Sequence, residues 1–292
     1  MARTILITGC SDEGLGAALA TAFHQNGDRV IATARNPAKM SILKSQGIET
    51  VTLDVLSEES FKTAVEEVSR LTNNTLDMLI NNAGVGYSTP LLEADMVQAE
   101  AIFKVNVFAP LRAVQAFMPL LRNSTKGAYV VNNTSIASVT PVPFQGAYGG
   151  SKAAIALMTD CLRLELQPFN IRVIELKTGN VNSKFFSNTN GFVGTTAKLS
   201  PESIYQPAAE PIEHFMGGSG FKSMPSDVWA QNVVKDLSAS NPPSQIWRGA
   251  ETTKVWMSTW LPHGTMDGFL KQMTGLSDLE KKLKDDGAKK TK

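Results

Sequence analysis

A tyrosine and a lysine lie four residues apart in the segment YGGSK, residues 148–152. On a helix this spacing places both side chains on one face. A free phenol titrates near about 10, and a neighbouring ammonium that favours the phenolate makes it usable for proton transfer at neutral pH. The pattern therefore predicts that Tyr148 is an acid/base group whose pKa Lys152 lowers. Such pairs also arise by chance on helices, so the pair alone leaves a structural role open.

A glycine-rich turn follows the first apolar run, RTILIT, and precedes a helical pattern. Glycines at such a turn let the backbone approach a pyrophosphate that is held by amides at the helix N-terminus. Asp12 and Glu13 lie in the same turn, where their charges oppose phosphate binding. An ordinary tight turn is the alternative. The residues that we predict to contact a dinucleotide here are Gly9, Ser11, Gly14, Leu15 and Gly16.

The end of the second apolar run, Thr33-Ala34-Arg35, indicates the choice of cofactor. In NAD-binding units a carboxylate about 20 residues beyond the glycines binds the ribose 2′-hydroxyl. Here the acid is missing, and Arg35 stands next to its place, which favours a 2′-phosphate. We therefore predict that the cofactor is NADP(H). A solvated arginine at a strand end is the alternative.

Apolar runs alternate with helical segments along most of the chain, which is typical of an α/β fold. The continuous apolar character of runs such as ILIT and YVVN favours parallel strands buried on both faces. With SQIWRG as a last strand, we predict a doubly wound parallel sheet, the Rossmann fold, of about seven strands. The predicted helices cover 15–26, 37–46, 57–72, 96–121 and 146–167.

We predict a single domain over 1–292 with four parts. A dinucleotide-binding core covers 1–182, a substrate lid 183–225, a helix, a strand and an extension 226–280, and a disordered tail 281–292. The lid is too long for a simple connection, and the tail carries six Lys without apolar periodicity. The lid aromatics favour a hydrophobic substrate or simply pack onto the core: Phe185, Phe186, Phe192, Tyr205, Phe215 and Phe221.

The composition excludes several classes of function. A net charge of +1 provides no overall field for nucleic acid, and two cysteines exclude a disulfide framework and a four-cysteine zinc site. Because the three histidines are scattered, we predict no metal site. The N-terminus looks like a strand and not a signal peptide, and no apolar stretch is long enough to span a membrane. We expect a cytoplasmic protein.

Four motifs, three of them not yet described, make the chain resemble the short-chain dehydrogenase/reductase family. They are NNAG at 81–84, Asn106 in KVNV, Ser135 thirteen residues before the tyrosine, and the YGGSK segment. The resemblance implies that Tyr148 gives a proton to a carbonyl and that Ser135 polarises it. It also implies that Lys152 binds ribose and that Asn106 holds a proton-relay water. The further cofactor contacts that it implies are Asp54, Val55, Asn82, Ala83, Gly84, Val181 and Ser183.

Two local motifs depart from the family pattern. Four residues separate Gly9 from Gly14, and Thr178-Gly179 stands where Pro-Gly is usual. The first departure resembles the form in fungal NADPH-dependent 1-acyldihydroxyacetone phosphate reductases. The resemblance implies that the protein is a homodimer or homotetramer whose subunits pair through the helices near 96–121 and 146–167. The apolar segment 256–276 either packs on the core or a subunit neighbour, or makes peripheral contact with the endoplasmic reticulum or a lipid droplet.

The expected reaction is NADPH-dependent reduction of a hydrophobic ketone to a secondary alcohol, or the reverse oxidation. A polyketide or terpenoid ketone of fungal secondary metabolism is the first expectation, and a lipid ketone of the 1-acyldihydroxyacetone phosphate type is the second. Two alternatives use the same fold without turnover of the cofactor. One is a non-redox cyclase or isomerase, and the other is a cofactor-binding regulator.

Overall fold

The computed structural model describes residues 2–185, 197–218 and 222–290, with side chains up to residue 286. Three of the predicted lid aromatics, Phe186, Phe192 and Phe221, lie outside these residues.

Seven parallel strands form one sheet in the order β3-β2-β1-β4-β5-β6-β7. The strands are β1 (Thr4–Ile7), β2 (Arg29–Ala34), β3 (Glu49–Thr52), β4 (Met78–Asn81), β5 (Ala128–Asn133), β6 (Ile171–Thr178) and β7 (Gln245–Arg248). The predicted Rossmann fold is confirmed. The chain reverses its direction of travel across the sheet between β1 and β4, and ligands of such sheets bind beside this point, at the carboxyl ends of the strands.

Helices cover both faces of the sheet. They are α1 (Leu15–Gln25), α2 (Ser41–Ser45), α3 (Glu58–Thr72), α4 (Met96–Phe103), α5 (Ala109–Arg122), α6 (Gly146–Leu166), α7 (Ala209–Met216), α8 (Ser226–Leu237), α9 (Thr252–Ser258), α10 (Asp267–Met273) and α11 (Leu276–Lys290).

Alternation along β1 explains the layered core. Ile5 and Ile7 pack on one face of the sheet with α1 and α8, including the fully buried Trp229. Leu6 points to the other face and joins α3 and α5 around Phe117. Because successive side chains of a strand alternate between faces, a fully apolar run buries both faces, as the sequence predicted.

The predicted helix over 96–121 is interrupted by a π-helical turn, Lys104–Phe108, between α4 and α5. Pro110 lies two residues after this turn, in the first turn of α5, and its nitrogen has no hydrogen to donate to a carbonyl one turn earlier. A wider π turn is one way in which a helix accommodates such a break. The consequence is that Asn106, at the centre of this turn, is buried beside the site described below.

The prediction of a disordered tail over 281–292 is wrong for the residues that the structure describes. Helix α11 runs from Leu276 to Lys290. Its first turn is anchored because Leu279 is buried in a third core cluster, and Glu280 accepts a bond of 2.6 Å from Lys271. The lysine-rich part continues an established helix, and Lys is a good helix former. The sequence pattern beyond 281 alone misses this upstream anchor.

The third core cluster joins the C-terminal helix to residues 197–218 of the predicted lid. Phe144 lies at its centre, with ring centroids 5.6 Å from Tyr205 and 6.5 Å from Phe215. Ile212 and Met216 of α7 and Leu279 of α11 also belong to it. Two aromatic residues of the predicted lid, Tyr205 and Phe215, therefore pack against Phe144, which precedes Tyr148 by four residues in the chain.

The apolar segment 256–276 is only partly covered. Trp256 and Trp260 stack edge to face with centroids 6.1 Å apart, yet they are 46% and 75% exposed. The expected packing of this segment on the core is therefore not found for these two side chains. Among the residues that the structure describes, no helix combines the length and apolarity needed to cross a bilayer.

Candidate active site

One cavity of about 1120 Å³ lies at the carboxyl ends of the strands. Fifteen of the predicted site residues line it: Gly9, Ser11, Gly14, Leu15, Arg35, Asp54, Val55, Asn82, Ala83, Gly84, Ser135, Tyr148, Lys152, Val181 and Ser183. The remaining two, Gly16 and Asn106, lie behind its wall. The structure thus brings together residues that are up to 174 positions apart in the chain.

The phosphate loop is shaped by close backbone approach. A Cβ on Gly9, whose φ is +74°, would lie 2.7 Å from Cα of Ala83, and one on Gly16 would lie 2.5 Å from the carbonyl oxygen of Gly9. Helix α1 starts directly behind the loop, and no side chain caps its N-terminus. Its first amides are therefore available to an anion in the cavity. The loop fits a dinucleotide pyrophosphate.

The two acidic residues of the loop are held by other partners. Asp12 accepts a hydrogen bond of 3.1 Å from the Ser41 hydroxyl of α2. Glu13 has a φ of 63° and forms an ion pair with Lys184, at the start of the predicted lid. The Glu13 charge is therefore compensated by an ammonium, whereas Asp12 has only the neutral Ser41 hydroxyl on Oδ2, and its Oδ1 is buried without a hydrogen-bond partner among the residues that the structure describes. The second contact also connects the loop to the first residues of the predicted lid.

A chain of amide and hydroxyl groups connects the strand ends beneath the cavity. The Thr178 hydroxyl donates to Oδ1 of Asn133 at 2.6 Å, and Nδ2 of Asn133 donates to Oδ1 of Asn82 at 3.0 Å. Nδ2 of Asn82 donates to the carbonyls of Thr8 and Gly9 at 2.9 and 3.2 Å. Thr178 stands where the family usually has proline. Its hydroxyl thus begins a hydrogen-bond network that fixes the phosphate loop.

Ser135 follows β5 and opens a 3-10 turn, Ile136–Ser138. Its hydroxyl accepts a hydrogen bond of 3.1 Å from the Ala137 amide, and the residue is 8% exposed. The hydroxyl also bonds to Tyr148. The turn therefore presents a hydroxyl donor beside the phenol.

Tyr148 and Lys152 share one face of α6, as predicted. Nζ of Lys152 donates to the carbonyl of Asn133 at 2.9 Å and lies 5.9 Å from the centroid of the Tyr148 ring. Burial lowers the pKa of Lys152 to about 8. Burial also raises the pKa of Tyr148, against the opposing effect of its bond with Ser135. The pKa of Tyr148 is thus raised, whereas the sequence predicts that the Lys152 ammonium lowers it. The phenol is therefore protonated at neutral pH.

The side-chain amide of Asn106 forms hydrogen bonds to protein groups through both its oxygen and its nitrogen. Its Oδ1 accepts from the Val85 amide at 2.9 Å, and its Nδ2 donates to the Val85 carbonyl at 2.8 Å and to the Ser151 hydroxyl at 3.0 Å. These bonds clamp the strand end after β4 onto α6. Its role in holding a relay water stays a prediction.

The two ends of the cavity differ in charge and polarity. Arg35 and Lys39 lie at the end next to β2, where Asp54 and Val55 also line the wall. The opposite end is lined mostly by apolar side chains, including Phe185 and Phe215 of the predicted lid. The Phe185 ring lies 5.9 Å from the Tyr148 ring. The site thus combines a polar cofactor-sized channel with an apolar chamber.

Sequence reasoning missed the C-terminal wall of this chamber. It is formed by Val255 and Ser258 of α9 and by Met266, Phe269, Leu270 and Met273 around α10. The apolar pattern of 256–276 was a usable signal, but it could not tell which side chains turn inward. Lys39 was also missed. Across the described parts of the chain, no group of three His, Cys, Asp or Glu residues is arranged for a metal ion.

The doubly wound sheet and its glycine-lined cleft define a nucleotide-binding Rossmann protein. The chain also matches the family described as short chain dehydrogenase over residues 3–192. A short-chain dehydrogenase/reductase of Pestalotiopsis microspora is 44% identical over 284 residues, with 97% of each chain covered. The NADPH-dependent 1-acyldihydroxyacetone phosphate reductase of Schizosaccharomyces pombe is 36% identical, covering 89% of this chain and 90% of its own.

Solved structures share the fold. A short-chain dehydrogenase from Streptomyces avermitilis has a TM-score of 0.74 at 24% identity, covering 96% of this chain and 98% of its own. One from Burkholderia cenocepacia in complex with NADP has a TM-score of 0.71 at 23% identity, covering 93% and 97%. The chain belongs to the short-chain dehydrogenase/reductase family. It is an oxidoreductase of a family that binds NAD(P).

Proposed function

We propose that this chain reduces a hydrophobic ketone to a secondary alcohol with NADPH, and catalyses the reverse oxidation. The observation that carries the proposal is the placement of Ser135, Tyr148 and Lys152 on one wall, between the phosphate loop and the apolar chamber. When bound, the nicotinamide supplies the hydride. The protein supplies the proton and the electrostatic environment.

The residues around the reacting carbonyl have distinct tasks. Tyr148 holds its proton because burial raises its pKa, and it donates that proton to the oxygen of the substrate. The Ser135 hydroxyl donates a hydrogen bond to the same oxygen and stabilises its developing charge. Lys152 presents an ammonium below pH of about 8, which holds the cofactor ribose and stabilises the phenolate left after proton transfer.

NADP(H) is the proposed cofactor because Arg35 and Lys39 line the end of the cavity that receives the adenosine ribose. Both residues are exposed to solvent. A guanidinium offers paired donors to a phosphate, and an ammonium adds a second positive charge. A 2′-hydroxyl has no charge for either group to compensate.

The apolar chamber supports a hydrophobic substrate, and we propose a polyketide or terpenoid ketone of fungal secondary metabolism. Its wall of Met266, Phe269, Leu270 and Met273 offers adaptable apolar contacts. A 1-acyldihydroxyacetone phosphate ketone is the second candidate. His214, Lys222 and Lys254 also line the cavity and could receive a phosphate, and one relative at 36% identity is named for that substrate.

We propose a homodimer or homotetramer built on helices α4 to α6. Their outer surfaces carry large apolar side chains that are more than half exposed: Met96, Val97, Phe108, Leu157 and Leu164. Surfaces of this kind mark interaction sites. The exposed Trp256 and Trp260 are separate from them along the chain, and we propose peripheral membrane contact there.

The test follows the nicotinamide absorbance of purified protein with NADPH. Two ketones serve as substrates, a polycyclic aromatic ketone and an acyldihydroxyacetone phosphate, and Tyr148→Phe is the matched control. We expect NADPH consumption with the polycyclic ketone and its loss in the control. NADPH consumption with the acyldihydroxyacetone phosphate alone would favour the second substrate. Product formation without NADPH consumption would indicate an isomerase or cyclase, and cofactor binding without any product would indicate a regulator.

A further inference from the structure

Two buried charges lie beside the site and take no part in the chemistry above. Glu175 and Lys177 are two residues apart on β6, so their side chains share one face of the sheet. The side chains are 3% and 4% exposed, and Nζ lies 2.5 Å from the carboxylate oxygen. An apolar pair of similar volume is often as stable as a buried ion pair, because the charges must be desolvated. Stability is therefore a poor explanation for this pair.

Both charges are fully engaged by neighbouring groups. Oε1 of Glu175 accepts from the Thr134 hydroxyl at 2.8 Å, and Oε2 accepts from Gln245 at 2.7 Å. Nζ of Lys177 donates to the Ser138 hydroxyl at 3.0 Å and lies 5.5 Å from the centroid of the Trp247 ring. The pair thus connects strand β7 with the segment that follows β5.

That segment contains Ser135. Thr134 directly precedes it, and Ser138 closes the turn behind it. The Ser138 hydroxyl and amide both donate to the carbonyl of Ser135, at 2.6 and 3.0 Å. The ion pair therefore holds the turn on both sides of Ser135, one side through each charge.

We propose that Glu175 and Lys177 are positioning residues that fix the Ser135 hydroxyl relative to Tyr148. Neither residue lines the cavity, so both act through the turn. The inference rests on the catalytic role proposed for Ser135. A shift of about 1 Å in such a group is enough to lower a rate by about 100-fold. A charged pair provides directed bonds at both ends of the turn, which apolar side chains cannot provide.

The first test is the double variant Glu175→Leu/Lys177→Met, which removes both charges together and leaves neither unpaired. Thr134 keeps an acceptor, because its hydroxyl also lies 3.3 Å from the carbonyl of Leu176. Phenanthrenequinone, a reactive hydrophobic diketone, is the probe substrate. We expect kcat to fall about 10- to 100-fold, while the KM for the diketone, the Kd for NADPH and the Tm stay close to those of the wild type.

Two single-site variants and a control separate positioning from packing. Ser138→Ala removes the link to Lys177 and should lower kcat about 2- to 10-fold, and Ser138→Thr should restore it. Arg248 lies on the adjoining strand β7, and Arg248→Met breaks its half-buried ion pair with Asp236 of α8 and should leave kcat unchanged. A double variant that folds and retains the wild-type kcat overturns the inference.

A second measurement needs no substrate. The amides of Ala137 and Ser138 bond to Ser135 at 3.1 and 3.0 Å, so their hydrogen exchange reports on the turn. We expect exchange at these two amides to be about tenfold faster or more in the double variant, with α6 unchanged. Unchanged exchange overturns the inference. If the wild type reduces no ketone, the proposed function fails, and the exchange rates still decide whether the pair positions the turn.

Discussion

Replacing Arg35 by alanine tests the choice of cofactor most directly. Arg35 and Lys39 together line the end of the cavity that we propose receives the adenosine ribose. A hydrogen bond to a charged group is worth about 1.5–3 kcal/mol. Because Arg35 is exposed and Lys39 remains, the lower half of that range applies, and the Kd for NADPH should rise about 10- to 40-fold. The Kd for NADH, which lacks the 2′-phosphate, should change less than about twofold.

Calorimetric titration of both cofactors at fixed ionic strength measures this difference. Arg29→Ala is the matched control, since Arg29 lies at the other end of β2 and pairs with Glu49 at 2.9 Å. It should change neither affinity. Equal weakening of NADPH and NADH by Arg35→Ala, or an unchanged affinity for NADPH, would refute the reasoning about the 2′-phosphate.

Three further outcomes are expected. Tyr148→Phe should lower kcat about 100- to 10,000-fold without changing the Kd for NADPH; a kcat within threefold of wild type excludes it as the proton donor. Because burial holds the pKa of Lys152 at about 8, kcat/KM for reduction should decline as pH rises through that value, and the same decline in Lys152→Arg would contradict this. Gly16→Ala, whose Cβ would lie 2.5 Å from the Gly9 carbonyl oxygen, should lower the Tm in thermal unfolding, whereas Gly268→Ala has open space and should not; equal Tm values for the two would count against the crowded loop.

The sheet was predictable because its physics is local. A strand buried on both faces must be apolar at every position, as in Ile5, Leu6 and Ile7, and this signal survives without knowledge of neighbours. The spacing of Tyr148 and Lys152 was equally local. Their position on the wall of the cavity follows because α6 starts at Gly146, as the sequence pattern predicts.

Other properties depend on the assembled protein. The pKa of Tyr148 is raised because the folded chain withdraws water from it, and no spacing in the sequence measures that loss. The π turn around Asn106 interrupts a strong helical pattern four residues before Pro110. Helix α11 is stabilised by Leu279 in a cluster built from distant segments. The inward side of α9 and α10 likewise depends on where the rest of the chain places them.

The burial of Leu279 has a practical implication for protein engineering. Leu279 of the last helix packs in the same cluster as Phe144 and Phe215. Phe144 precedes Tyr148 by four residues, and Phe215 lines the chamber. Truncating the chain before this helix, or exchanging its end with that of a homologue, would reshape the chamber while leaving the cofactor channel intact. Chimeras at this terminus are therefore a rational route to altered ketone selectivity, and affinity tags are safer when placed beyond a spacer.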